Sequence, residues 1–239
     1  MSDIDRDELL DRYEGLRVTD VTDGMDFLGF HEVNRMDSGI APLYRDPEDF
    51  SHRFVGLART VRFHPTNDRR DLPATEELDF ETATAWRDQW YDERVDDPGG
   101  LQEGDVMVVE AHNLACGIIG SMNSLGWVSQ GAVGVITNGG PRDTDEIIKQ
   151  GTPIYARTRN KTIIPGRTET DAVDVPVNVG GALVRPGDVV VADGDGVVVV
   201  PVEHAGAVAE AARREQEDDQ ESRRAVYEEL GMEPDFTLE

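Results

Sequence analysis

Short apolar runs punctuated by glycine and aspartate recur along this chain, and they limit its fold more than any other feature. FVGLARTVRF (54–63) alternates well enough for a strand, Val106 to Glu110 follows the turn Gly104-Asp105, and Ala132 to Thr137 is a third such run. Further runs lie at Val173 to Val179, Asp188 to Ala192 and Val197 to Val202. The last two are joined by Asp193-Gly194-Asp195-Gly196, which suits a tight hairpin and lacks the remaining ligands of a calcium loop. Helical patterns are fewer. Leu9, Leu10, Tyr13 and Leu16 predict an amphipathic helix over about Asp5 to Leu16, and Thr22-Asp23 offers an N-cap for a short second helix over Gly24 to Leu28. Phe80, Ala83, Trp86, Trp90 and Tyr91 can line one face of a helix that Pro98-Gly99-Gly100 stops; such tryptophans read first as packing anchors. Another helix is expected over about Gly120 to Leu125, and a long charged one over Ala205 to Leu230. Several short strands around few helices predict a mixed α/β domain with a helical C-terminal extension.

Charge excludes whole classes of partner. Asp and Glu number 49 against 23 Lys and Arg, a formal net charge of −26, so phosphate backbones and anionic membranes are repelled. Only Lys149 and Lys161 are lysines, and an arginine-dominated cation set beside so many acids resembles proteins of salt-loving organisms. In molar salt the Debye length falls to about 3 Å, which makes this charge density tolerable. Cys116 is the only cysteine, which excludes an intrachain disulfide and a multi-thiolate zinc site within one chain. His31, His52, His64, His112 and His204 show no paired metal-ligand spacing. The opening MSDIDRDELLDRYEGL lacks the basic and apolar regions of a signal peptide, and no window approaches the roughly 18 apolar residues of a membrane span. The expectation is a soluble, cytoplasmic protein.

Chemistry concentrates in Gly120-Ser121-Met122-Asn123 and Arg142-Asp143. A glycine opening a helix leaves the first backbone N–H groups unpaired and positively polarised, which suits a substrate carboxylate, and Gly120 would let that ligand approach closely. Arg142 and Asp143 follow a strand's C-terminal end, where α/β proteins tend to place ligands. Arginine can hold a developing oxyanion, and a single aspartate can hold Mg²⁺, which keeps several of its waters. The plainer reading is a surface ion pair or helix cap. His112 lies between a strand and this site, whereas Cys116 has no base beside it in sequence and reads as buried packing.

The stretches GDVMVVEAHNLACGIIGSMNSLGWVSQGAVGVITNGGPRDTDEI and RPGDVVVADGDGVVVVP make the chain resemble the RraA-like family, from about Gly104 to Pro201, with weaker similarity from Val18 to Val61. That family includes 4-hydroxy-4-methyl-2-oxoglutarate aldolases with oxaloacetate decarboxylase activity, and relatives that inhibit ribonuclease E without catalysis. The resemblance implies a swivelling β/β/α domain with flanking N-terminal helices and a long C-terminal helix. It treats residues 1–239 as one domain, with a core of about 18–202 and an extension of about 203–231, assembled as trimers or dimers of trimers with active sites between subunits. It also implies that Gly120, Ser121, Met122 and Asn123 bind the substrate carboxylate through backbone amides, that Arg142 contacts the keto oxygen, and that Asp143 ligates Mg²⁺ or Mn²⁺. Glu146 completes an R-D-x-x-E/D pattern, and one acid between Glu215 and Glu221 would reach a neighbouring subunit's metal site. The implied activity is that of a class II lyase, cleaving or decarboxylating a pyruvyl-containing 2-oxo acid through a metal-stabilised enolate; the alternative is a non-catalytic regulator that binds protein partners. One departure matters. Aldolase members usually carry an acidic residue after the motif glycine, where this chain has Ser121, which supplies no charge.

Overall fold

A computed structural model describes residues 5–68, 79–112, 114 and 116–238. The elements in chain order are α1 (Arg6–Tyr13), α2 (Val18–Phe27), β1 (Ala41–Pro42), β2 (Phe54–Pro65), α3 (Phe80–Arg94), β3 (Asp105–Glu110), β4 (Gly117–Ile119), α4 (Ser121–Val128) and β5 (Ala132–Thr137). They continue as β6 (Gly140–Pro141), α5 (Thr144–Gln150), β7 (Ile154–Ala156), β8 (Thr168–Val173), β9 (Val177–Val179), β10 (Ala182–Val184), β11 (Val189–Asp193), β12 (Gly196–Val200) and α6 (Ala205–Leu230).

One sheet organises the molecule, in the order β1-β7-β5-β3-β2-β11-β12, and β1 returns to touch β12, so the sheet nearly closes. Its centre is parallel: β2 pairs with β3, β3 with β5, and β5 with β7. All six residues of β3 are buried, as expected for a parallel strand covered on both faces. The long β2 pairs antiparallel with β11 over its first half and with β8 over its second, both along the edge opposite β3. The Asp193-Gly196 hairpin forms as expected, pairing β11 with β12. On one side α1, α2 and α6 cover β11 and β12, with Tyr13, Val21, Met25, Val198, Val208 and Ala212 in the shared core. Elsewhere Trp90, Trp127, Val61, Met107, Val109 and Ile119 pack together beneath α3 and α4.

The sequence expectations hold for the fold class and for α6, whose end is closed by Gly231 in the left-handed region. Three boundaries are corrected. The second helix starts at Val18 rather than Gly24, because Thr22 does not cap: its hydroxyl donates back to the Val18 carbonyl at 2.7 Å. The cap is instead Arg17 with Asp20, whose buried carboxylate accepts the Arg17 backbone N–H at 2.8 Å. The run Val173 to Val179 is two strands, since Asp174 turns the chain at φ +49° and donates its N–H to the Thr60 carbonyl. The first long strand runs past its expected end at Phe63: His64 and Pro65 also belong to β2, held by β8 through His64 opposite Glu169 and Pro65 opposite Thr168. Residues 69–78, between β2 and α3, lie outside the described residues. No helix among the described residues is long and apolar enough to cross a membrane.

Candidate functional site

Two short parallel strands bring the sequence-separated motifs together. β4 runs beside β6, and the Arg142 N–H donates to the Ile119 carbonyl at 2.8 Å, so the residues that follow each strand, Gly120 and Arg142-Asp143, become neighbours. The place is the loop region beyond the C-terminal ends of the parallel strands β3 and β5, where open α/β sheets tend to bind ligands.

Gly120 is the N-cap of α4, with extended φ −107° and ψ 171°, and having no side chain it makes no side-chain cap bond. A Cβ there would stand 3.0 Å from Asp143 Oδ2 and 3.5 Å from Asn123 Oδ1, so hydrogen at this position keeps a small polar cradle open. Gly117 serves the same region: a Cβ on it would come within 3.0 Å of Arg142 Cβ and 2.6 Å of the Thr162 carbonyl.

Asp143 is the N-cap of α5 but sits at φ +55° and ψ 37° and makes no side-chain cap bond. A left-handed backbone costs a non-glycine residue about 1–3 kcal/mol and clusters at functional sites. Here it turns the carboxylate toward α4, where the Ser121 N–H donates to Oδ2 at 3.4 Å, while Arg142 Nε donates to Oδ1 at 3.2 Å. About a third of each side chain, Arg142 and Asp143, stays exposed. Ser121 is buried, and its hydroxyl donates to Glu146 Oε2 at 2.5 Å. The position that lacks an acid in sequence therefore has one in space, contributed by the first turn of α5. Met122 projects outward, 76% exposed, and Asn123 is also exposed.

The donors facing this cradle are hard oxygens, and no group of three potential ligands occurs among the described residues. One aspartate beside an open cradle fits the mode in which Mg²⁺ or Mn²⁺ takes one or two carboxylates and fills its remaining positions with water and substrate oxygens. Asp143 would hold the ion, with Glu146 behind it.

Beside the cradle, between α3, α4 and the face of β2 and β3, lies a cavity of about 250 Å³. Asn123 and Tyr91 are on its wall, and Trp127 closes another side, its indole N–H donating to Asp97 at 2.8 Å. Burial pushes the Tyr91 hydroxyl above its ordinary pKa, against the pull of the Arg142 guanidinium, which places Tyr91 next to the site. The aromatic stripe of α3 thus divides: Trp90 is fully buried as a packing anchor, whereas half-buried Tyr91 faces ligand space. In sequence the whole stripe reads as packing, and only the i, i+1 placement of Trp90 and Tyr91 on different sides of the helix signals the split.

Other candidates fall elsewhere. Cys116 is buried and burial raises its pKa, as a packing thiol requires. His112, at φ +47°, lies 3.5 Å from Glu110 and is half-exposed rather than buried. Among the acids of α6, Asp219 is engaged by Arg17 at 3.4 Å and Arg223 at 3.9 Å within the chain.

The fold and site together define a mixed α/β protein in which a glycine-opened helix start, an arginine and an aspartate meet at one strand end. The RraA-like family model (Aldolase/RraA) matches residues 18–199, and the chain belongs to that family. Among curated relatives, a 4-hydroxy-4-methyl-2-oxoglutarate aldolase of Thermus thermophilus is 36% identical over 89 residues, covering 36% of this chain and 52% of its own length. A protein of Halalkalibacterium halodurans, provisionally named as the same aldolase, is 33% identical over 125 residues, covering 52% of this chain and 59% of its own. The matches thus span between half and three-fifths of these relatives. Solved structures match more completely. RraAS2 of Streptomyces coelicolor, described as an unusual member of the RNase ES inhibitor RraA protein family, is 28% identical with a TM-score of 0.69, covering 90% of this chain and 96% of its own. An uncharacterized protein of Pseudomonas syringae is 27% identical with a TM-score of 0.69, covering 92% and 93%.

Proposed function

We propose that the chain is a divalent-metal-dependent lyase that binds the pyruvyl part of a 2-oxo acid and breaks its C3–C4 bond, by retro-aldol cleavage of 4-hydroxy-2-oxo acids, by oxaloacetate decarboxylation, or by both. The observation that carries this reading is the convergence of Gly120, Arg142 and Asp143 on one cradle, with Asp143 held in a left-handed conformation so that its carboxylate faces α4 instead of capping α5.

The backbone N–H groups at the start of α4, from Ser121 to Asn123, would receive the substrate carboxylate, oriented by the positive end of the helix. Arg142 would donate to the 2-oxo oxygen and stabilise the negative charge that collects there as the C3–C4 bond breaks, a contribution that grows toward the transition state. Asp143 would hold Mg²⁺ or Mn²⁺, which would supply Lewis acidity to the site. Glu146, bonded to the Ser121 hydroxyl, would keep a negative charge beside the cation and fix the rotamer of Ser121. The family resemblance adds a homotrimer or hexamer in which an acid from Glu215 to Glu221 of a neighbouring copy completes the site.

The rival reading is a regulator that binds protein partners, and the likeness to RraAS2 favours it over other non-catalytic roles. The two separate on ligand binding. A ligand that binds only the native state must raise the melting temperature, by about 2.7 kcal/mol of stability at a hundred times its Kd. Mg²⁺ with oxalate, a mimic of the cleaved pyruvyl group, is expected to raise Tm by several degrees beyond Mg²⁺ alone. Identical melting curves with and without oxalate would favour the regulator.

A further inference from the structure

The cavity beside the cradle has a definite chemical character. Its wall is built from Val61, Phe63, Val109, Ile118, Trp127 and Ile164, all largely buried. Val95 and Tyr91 of the α3 segment close it from above. Its charged groups are all acidic, Asp92, Asp96 and Asp97, with Asp97 bonded to the Trp127 indole; Tyr91 and Asn123 add a neutral hydroxyl and amide. Of the cations on α3, Arg87 is paired with Asp88 at 2.8 Å, and Arg94 is paired with Asp68 and Glu169. Arg142, at the other end, belongs to the cradle. At about 250 Å³ the space is larger than the roughly 150 Å³ apolar cavities known to accept benzene, so a short alkyl or aryl group fits.

Asn123 joins the two spaces. Its side-chain oxygen borders the opening above Gly120, and the residue also forms part of the cavity wall. A 2-oxo acid whose carboxylate rests on the start of α4 has its remaining carbons free to continue past Asn123 into this chamber. A carboxylate buried there would lie among apolar side chains and aspartates, with no cation among the described residues that line the cavity, which is unfavourable. An uncharged chain would gain about fourfold in affinity for each methylene fully removed from water.

We infer that this cavity is the distal substrate subsite, and that it selects 2-oxo acids bearing an uncharged apolar substituent over those, such as 2-oxoglutarate, whose second carboxylate would reach into it. The inference rests on the pyruvyl-binding reading above and specifies the substrate class that reading leaves open.

The test measures the Kd of pyruvate, 2-oxohexanoate and 2-oxoglutarate for the intact protein, with Mg²⁺ in molar KCl, by tryptophan fluorescence, since Trp127 lines the cavity. 2-Oxohexanoate is expected to bind at least about tenfold more tightly than pyruvate, and 2-oxoglutarate no more tightly than pyruvate. The variant Val95→Phe, at a half-buried rim position, is expected to bring the 2-oxohexanoate to pyruvate ratio close to one. Equal affinity for 2-oxohexanoate and pyruvate in the wild type, or a preference for 2-oxoglutarate, overturns the subsite. Binding of 2-oxohexanoate without detectable pyruvate binding keeps the apolar site and removes the pyruvyl reading; failure of all three ligands to bind removes both.

Discussion

Gly120 needs no special backbone freedom, since φ −107° is open to any residue, so its value must lie in the space its missing side chain leaves. Alanine there would put a methyl group 3.0 Å from Asp143 Oδ2. Gly120→Ala is accordingly expected to fold with a Tm within a few degrees of wild type and to lose oxalate binding by at least about tenfold, a pairing that thermal melts with and without Mg²⁺-oxalate would reveal. Ser121→Asp tests the neighbouring position from the opposite direction. Its new carboxylate would face Glu146, now 2.5 Å from the serine hydroxyl, and two close carboxylates cannot both ionise easily. The expected result is weaker Mg²⁺ stabilisation at pH 7, restored when Glu146→Gln is added; unchanged Mg²⁺ response in both variants would remove Glu146 from the site's electrostatics. These residues are legible in sequence because each motif is local: a glycine opening a helix, an Arg-Asp pair closing a strand. The Ser121 to Glu146 bond and the position of Tyr91 are not, because both depend on how α3, α4 and α5 pack around β4 and β6.

At the scale of elements, Gly24 shows why the second helix begins earlier than its sequence suggests. In sequence a glycine looks like a helix start or break, but in the fold it sits inside α2 where that helix presses on α6. A Cβ would meet the Ala212 N at 2.8 Å and the Val208 carbonyl at 2.9 Å, both backbone atoms that cannot rotate away. Alanine gains about 1 kcal/mol of helix propensity over glycine, whereas forcing packed elements apart costs about 1–3 kcal/mol. Overpacking should win, so Gly24→Ala is expected to lower stability by about 1 kcal/mol net, measured by urea unfolding; a more stable variant would show that the helices separate freely. The split of Val173 to Val179 has a similar origin: apolar alternation across the segment conceals a turn fixed by partners distant in sequence. Arg59 holds Asp174 there through two bonds of 2.9 and 2.8 Å and also reaches the carbonyls of Gly99 and Gly100. The Arg59 guanidinium lowers the Asp174 pKa, so this pair contributes stability above the unfolded carboxylate range, near about 3.9, and loses it as pH falls through the lower folded value. Because Asp174 is more than a third exposed, its share is only on the order of 1 kcal/mol. Asp174→Asn should therefore cost stability at pH 7 and progressively less below about pH 4; a penalty independent of pH would assign it to the turn and not to the ion pair.

For the whole molecule, the net charge of −26 is plain from composition and the mixed α/β class follows from the short strands, but the near closure of the sheet and the cavity between α3 and α4 are visible in neither. Charge makes its own demand. Between molar salt and about 0.1 M the Debye length grows from about 3 to 10 Å, and acids that ignored each other begin to repel. Tm should fall by several degrees over that range, and sedimentation should show any assembly loosening; a salt-indifferent protein would contradict the reading of its acidity as an adaptation to salt. If Asp143 holds the metal of a pyruvyl lyase, turnover must depend on both Mg²⁺ and its carboxylate, which is measured by following pyruvate release from oxaloacetate against Mg²⁺ concentration, above the uncatalysed rate, for wild type and Asp143→Asn. An amide is a poor ligand for a hard cation, so the variant is expected to melt like wild type yet lose at least about a hundredfold in rate at limiting Mg²⁺. Wild-type release that ignores Mg²⁺ would show that the lyase needs no metal, and an Asn variant as active as its parent at limiting Mg²⁺ would remove Asp143 from the metal site.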